Sequence, residues 1–174
     1  GGVLALKAAP GEILCEQLYS SELSEFLESH LTLLYSGLSR NSGINNWKVM
    51  KKVVDGNRTA IRHLKSIRDC AVEMERALSR GHLKSLAPIF AREWKARKQL
   101  APNISTPQMD RLMRAAQKKG ALAGKVCGAG GGGCVAFIVP PAKKQSVMEE
   151  LTSKGGKVLP FRFVSRGLRC QAPA

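Results

Sequence analysis

Histidine is scarce in this chain: there are three in 174 residues, His30, His63 and His82, scattered and with no HExxH spacing. A metal centre made wholly within the chain is therefore not expected. The five cysteines, Cys15, Cys70, Cys127, Cys134 and Cys170, are odd in number and form no CxxC. They read as reduced, mostly buried thiols rather than as a disulfide framework or a zinc site. No apolar run approaches the roughly 18 residues of a membrane span. The N-terminus also lacks a basic region followed by an apolar stretch, so no signal peptide is visible and the chain reads as cytoplasmic. Negative charge is the other scarcity, with 13 Asp and Glu against 28 Lys and Arg.

The resulting net charge of +15 is unevenly placed. Residues 1–39 carry one Lys and five Glu, residues 40–125 carry 20 basic and six acidic groups, and residues 126–174 carry seven and two. A basic middle attracts nucleic acid, an acidic partner surface or phosphorylated small molecules; the plainer alternative is a set of solvated helical faces. An apolar fraction of 44% and this length suffice for one domain with a real core.

Pro10-Gly11 separates two short runs, 3–7 and 12–18, and predicts an opening hairpin. Ser20 or Ser21 can cap a short helix to about Ser29, after which Leu31–Tyr35 is an apolar run of strand length. From Ile44 to Arg80 the apolar period becomes helical, with a break at Asp55-Gly56-Asn57 that gives two helices or one broken helix. Leu83, Leu86, Phe90 and Trp94 form the core-facing stripe of a further helix ending near Ala101-Pro102. The next helix has Ser105 or Thr106 as N-cap, Pro107 in its first turn, Lys118-Lys119 near its end and Gly120 beyond. Met109, Leu112, Met113 and Ala116 form its buried face. A strand Lys125–Cys127, a glycine turn, a strand Cys134–Val139, a helix from about Ala142 to Lys154 and a strand from Lys157 to about Val164 complete the chain. From Leu31 onward this is an α+β, ferredoxin-like βαββαβ plan whose first helical crossover is expanded into a bundle.

The run Lys125-Val-Cys-Gly-Ala-Gly-Gly-Gly-Gly-Cys134 places five glycines between two apolar strands, which argues against a flexible linker. Successive N–H groups in such a turn can form a concave site for an anion, with phosphate the obvious candidate. Gly128, Gly130 and Gly133 satisfy GxGxxG literally, but the Rossmann fingerprint opens a helix, and here the motif enters a strand. Walker A requires Lys-Ser/Thr after its last glycine, where this chain has Cys134-Val135. What remains is a strand-to-strand turn offering backbone donors, with Lys125 at its base, or a hairpin whose glycines serve close packing.

The same run resembles the third motif of the GHMP kinases, the superfamily of galactokinase, homoserine kinase, mevalonate kinase and phosphomevalonate kinase. Leu34-Tyr-Ser-Gly-Leu-Ser-Arg40, Glu93-Trp-Lys-Ala-Arg-Lys-Gln-Leu-Ala-Pro-Asn-Ile-Ser105 and Gly120-Ala-Leu-Ala-Gly-Lys125 are similar to the heptose-phosphate kinase and fucokinase branch. That resemblance implies a GHMP-type C-terminal domain over residues 31–174, with residues 1–30 a hairpin and short helix left at the junction with an N-terminal domain. It implies anomeric phosphorylation of a sugar or sugar phosphate with ATP and Mg2+, both bound mainly by that N-terminal half. In this branch a paired glycine like Gly1-Gly2 follows the Asp that serves as base, so the base is expected upstream and the chain is expected to be catalytically incomplete alone. By resemblance Lys125, Gly128, Ala129, Gly130, Gly131, Gly132 and Gly133 line the phosphate and substrate cleft. Arg40 and Ser42, in the turn after Leu31–Tyr35, are candidates for contact with the sugar or its phosphate, an Arg fork suiting a pair of phosphate oxygens. Lys95, Arg97 and Lys98 read first as a solvated helical face and second as cleft residues. Cys134 departs from the pattern, standing where this branch often has an aromatic.

Two other classes fit part of the pattern. RNA-recognition domains share βαββαβ, and Gly133-Cys-Val-Ala-Phe-Ile-Val139 faintly echoes their stacking strand, but only Phe137 is aromatic and the first crossover is far too long. Nucleic acid is therefore expected to bind only nonspecifically. A non-catalytic regulatory module with the kinase fold lacks the same residues as a truncated enzyme, so sequence does not separate the two.

Overall fold

The computed structural model describes residues 1–38 and 42–168, with the side chains of residues 42–45 outside the description. Strands β1 (Leu4–Ala9) and β2 (Glu12–Gln17) form the opening hairpin, in register from Leu4 opposite Gln17 to Ala9 opposite Glu12. Gly11, at φ +78°, supplies the left-handed turn residue. Helix α1 (Ser21–His30) is capped by the Ser20 hydroxyl, which accepts from the Leu23 N–H. It leads directly into strand β3 (Leu31–Tyr35).

The long crossover then runs through α2 (Ser42–Val54), α3 (Arg58–Ser79), a 3₁₀ turn at Leu83–Ser85, α4 (Leu86–Lys98) and α5 (Pro107–Lys118). The Asp55–Asn57 break does give two helices, and Asn57 caps the second by accepting from the Ala60 N–H. Thr106 caps α5 by accepting from the Met109 N–H, with Pro107 at the first helical position. Strand β4 (Ala123–Val126), strand β5 (Cys134–Ile138), helix α6 (Pro141–Ser153) and strand β6 (Lys157–Leu159) follow.

The four-stranded sheet has the order β4-β5-β3-β6, every neighbouring pair antiparallel. This is the ferredoxin-like arrangement that the element order predicts. The final strand is shorter than expected from sequence, ending at Leu159 rather than near Val164. Pro160 has no N–H to continue the ladder.

The two sheet faces bury different helices. Leu34, Val126, Val135 and Phe137 pack with Met109, Leu112 and Met113 of α5 and Val147 and Leu151 of α6. Ala123 and Ile138 pack instead with Leu23 and Leu27 of α1, Cys70 of α3 and Leu86 and Ile89 of α4. Burying each large apolar side chain contributes roughly 1.5–3 kcal/mol. Gly124 keeps the sheet close-packed, because a Cβ there would lie 2.7 Å from the Phe137 ring. Side chains alternate along a strand, so Lys125, paired with Ala136, shares the face of Ala123 and Ile138 and points to the α4 side. That alternation places the only charged residue of β4 against the crossover bundle.

Candidate functional site

Among the described residues four backbone hydrogen bonds anchor the β4–β5 turn, one of them from the Ser36 N–H to the Gly133 carbonyl at 2.9 Å. The Cys127 N–H donates to the Cys134 carbonyl at 2.8 Å, the Gly131 N–H to Ile104 at 2.9 Å and the Gly133 N–H to Leu38 at 2.9 Å. Gly128, Gly130, Gly131 and Gly133 have φ between +72° and +81°, and Gly132 stands at +152°. A run of left-handed residues on this scale is open to glycine and strained for other L-residues. Gly130 and Gly132 are buried, while Gly128 is exposed and Ala129 half-buried. Among the described residues, the N–H groups of Gly128 and Ala129 have no protein acceptor. The N–H groups of Gly130 and Gly132 also have no protein acceptor among the described residues but belong to buried residues, so the more exposed donors are those of Gly128 and Ala129.

Behind the turn, Glu93 of α4 sits between two cations. Its Oε2 lies 3.0 Å from Lys125 Nζ, and its Oε1 accepts from Arg97 Nε at 2.6 Å and also from a terminal Arg97 nitrogen. The Glu93 side chain is 8% exposed, Arg97 26% and Lys125 24%. A carboxylate this buried requires compensation, and here it receives two positive groups. Lys125 Nζ also stands 5.6 Å from the centre of the Phe90 ring, within range of a cation–π attraction.

Arg97 and Lys125 stand between two cavities. One, of about 480 Å³, is lined by both cations together with Asn46, Phe90, Cys127, Gly128 and Ala129. The other, of about 560 Å³, runs beneath the hairpin along α3 and α4, and its lining includes Glu93. Among the described residues the glycine-turn cavity has two cations and backbone donors in its wall and no carboxylate.

Comparison with known proteins bears on this geometry. The GHMP kinases C terminal family model matches residues 74–157, from α3 through the glycine turn to the start of β6. That stretch is similar to the C-terminal domain of GHMP kinases. A curated relative, D-glycero-alpha-D-manno-heptose 7-phosphate kinase of Campylobacter jejuni, is 29% identical over 143 residues, covering 82% of this chain and 42% of the relative. The chain thus spans less than half the length of that protein. A D-glycero-D-manno-heptose 1-phosphate kinase from Bacteroides thetaiotaomicron superposes with TM-score 0.62 at 24% identity over 92% of this chain and 42% of the other. L. major mevalonate kinase, solved with R-mevalonate, superposes with TM-score 0.73 at 16% identity over 88% and 45%. These two structures speak to the fold alone.

The residues singled out from sequence divide into three groups. Lys125, Gly128 and Ala129 meet in the glycine-turn cavity. Gly130, Gly131, Gly132 and Gly133 shape the turn, and the N–H groups of Gly131 and Gly133 are spent on protein carbonyls. Arg40 lies outside the described residues, as does the Ser42 side chain; the Ser42 backbone opens α2 rather than lying in the preceding turn. The face of α4 needs correction. Lys95 and Lys98 are exposed as expected, but Arg97 is half-buried and lines both cavities. Glu93 was not identified as a site residue, although a Glu beside Trp94 on an apolar stripe, four residues before an Arg, is a signal that could have been used. Phe137 is 1% exposed and faces α5 and α6, so it cannot stack on a base as an RNA-binding strand would require.

Proposed function

We propose that the chain is the C-terminal domain of an ATP-dependent sugar kinase that phosphorylates the anomeric oxygen of a heptose phosphate or a related sugar. The observation that carries this is the glycine-turn cavity, where unpaired backbone donors and two cations meet on a GHMP-like domain whose relative above is a heptose 7-phosphate kinase. Phosphoryl transfer depends on positioning and on neutralising charge over the phosphate oxygens. Gly128 and Ala129 can supply N–H groups to such oxygens, while Arg97 and Lys125 can supply positive charge from half-buried positions.

The remaining chemistry fits this chain less well. No group of three His, Cys, Asp or Glu able to hold a metal ion occurs among the described residues. Glu93, which pairs with Arg97 and Lys125 of the cavity wall, is occupied by those two cations. By resemblance to GHMP kinases, magnesium, most of the ATP contacts and the base that takes the sugar hydroxyl proton are proposed to belong to an N-terminal half. The hairpin supports a junction there. Lys7 pairs with Glu75 of α3 at 2.7 Å, which ties the hairpin to the bundle. Leu4, Leu6, Ile13 and Leu14 of the hairpin are 46%, 66%, 74% and 54% exposed. A two-stranded hairpin with an open apolar face is a poor structure on its own and a good edge for another domain. Transfer of labelled γ-phosphate from ATP to D-glycero-D-manno-heptose 7-phosphate, with and without an N-terminal half, tests the assignment.

A further inference from the structure

We infer that Cys127 and Cys134 form a reversible disulfide across the base of the glycine turn, a redox switch on the cavity that the turn lines. The strand register brings the two together. Val126 stands opposite Val135, and the Cys127 N–H donates to the Cys134 carbonyl at 2.8 Å, so the next step of the ladder sets Cys127 opposite Cys134. Side chains of opposed residues share a face. Val126 and Val135 are fully buried on the α5 and α6 side, so by alternation the two thiols lie on the face of Lys125 and Ala136. Cys127 lines the glycine-turn cavity together with Lys125 and Ala136, and both cysteines are half-buried thiols that a small reagent can reach. The other described cysteines are placed differently: Cys15 is exposed and stands opposite Leu6 in the hairpin, and Cys70 is 3% exposed in the helical core.

Opposed residues at a hydrogen-bonded step of an antiparallel ladder have Cα atoms about 5.5 Å apart, inside the roughly 4.4–6.8 Å range of disulfides. Their Cβ atoms stand about 5 Å apart, whereas a disulfide holds Cβ atoms at about 3.8 Å, so the bond requires the strand ends to close by about 1 Å. Such strain makes a disulfide easier to reduce, which separates a reversible switch from a permanent staple. Glycine adjoins each cysteine, Gly128 after Cys127 and Gly133 before Cys134, so the turn absorbs the movement and passes it to Gly128 and Ala129 in the cavity wall. The oxidant is a small-molecule disulfide such as glutathione disulfide. The Cys127 thiolate attacks one of its sulfurs and expels a glutathione thiolate, and the Cys134 thiolate then attacks the Cys127 sulfur and expels the second. Two electrons and two protons pass from the cysteines to two molecules of glutathione, and excess reduced glutathione runs the sequence backwards. Arg97 and Lys125 in the cavity wall favour the approach of this carboxylate-bearing reagent. Neither step depends on the chain's being a kinase.

The test is equilibration of the full chain with graded ratios of oxidised to reduced glutathione, followed by alkylation, trypsin digestion and mass spectrometry. Lys125 and Lys143 bracket a stretch without Lys or Arg, so residues 126–143 are released as one peptide holding both cysteines. The expected result is a change of this peptide from doubly alkylated to unalkylated and lighter by two hydrogens. The change should be half complete within the ratios a glutathione buffer spans, and reduced glutathione should reverse it. Cys134→Ser should instead leave Cys127 carrying glutathione or the alkyl group. The amides of Gly128 and Ala129 in the ¹⁵N-labelled chain should shift on oxidation and return on reduction. Where Cys134→Ser fails to fold, the wild-type peptide still decides. A peptide alkylated at both cysteines at every ratio, two glutathione adducts on it, or a link from either cysteine to Cys15, Cys70 or Cys170 would overturn the pairing, as would closure seen only in urea. A bond that resists reduced glutathione and yields only to dithiothreitol would overturn the switch.

Discussion

The Ile104 carbonyl accepts from the Gly131 N–H at 2.9 Å, and a Cβ built on the neighbouring Gly130 would lie 2.5 Å from that same oxygen. The segment between α4 and α5 therefore clamps the glycine turn through contact that excludes a side chain. Gly130→Ala combines this clash with φ of +81° and is expected to destabilise the chain by roughly 2–4 kcal/mol in urea unfolding. Gly128→Ala, at φ +72° on the exposed part of the turn, should cost only about 1–2 kcal/mol. Equal costs would mean that the Ile104 contact does not position the turn.

Glu93 offers a second contrast. Glu93→Ala leaves Arg97 and Lys125 half-buried beside each other without a counter-charge, and the expected loss is about 2–4 kcal/mol. Lys125→Met should cost less, about 1 kcal/mol, because Arg97 still compensates the carboxylate. Chemical denaturation of the two variants side by side checks the order. Lys125→Met as the more damaging change would contradict a carboxylate held by two cations.

The difference between these two predictions marks how far sequence reading reaches. The sheet order, the capped helices and the buried face of α5 were legible because period, caps and punctuation are local: Met109, Leu112 and Ala116 are all 0% exposed. The glycine turn was legible as an ordered connection between two strands for the same reason, five glycines between two apolar strands being unusual in any local window. Glu93 with Lys125 was not, because the pair joins α4 to β4 across 32 positions of chain, and only the strand register turns Lys125 toward α4. Arg97 was misjudged because three basic residues among four on a helix look alike until one of them finds a buried partner. The extent of β6 was misjudged because an apolar run after Pro160 carries β propensity without a complete set of ladder donors.

The hairpin supplies a prediction about assembly. Leu6→Lys and Ile13→Lys change side chains that are 66% and 74% exposed, so the stability of the isolated chain should move by less than about 0.5 kcal/mol. The same variants should weaken association with an N-terminal half by tenfold or more, measured by sedimentation or calorimetry. Unchanged association would remove the hairpin from the junction.

Lys144 provides a pH test. Its ammonium donates to the Glu28 carbonyl, and burial pushes its pKa below the usual 10.5, with the Glu28 carboxylate only partly offsetting this. The unfolded chain then holds the proton more tightly, so Lys144 lowers stability at neutral pH, and this cost is relieved as pH rises from the lowered folded value toward 10.5. Urea unfolding across that window should show stability contributed by Lys144 rising with pH, and Lys144→Gln should remove that part of the slope. A slope unchanged in the variant would contradict the burial effect.

Transfer of the γ-phosphate of radiolabelled ATP to D-glycero-D-manno-heptose 7-phosphate tests the central claim most directly. The expected result is no transfer by this chain alone, and magnesium-dependent transfer to the anomeric oxygen when an N-terminal half bearing the base and the phosphate loop is supplied. Transfer by the isolated chain would contradict its catalytic incompleteness, and no transfer to any sugar or sugar phosphate by the assembled, folded halves would contradict the kinase assignment itself.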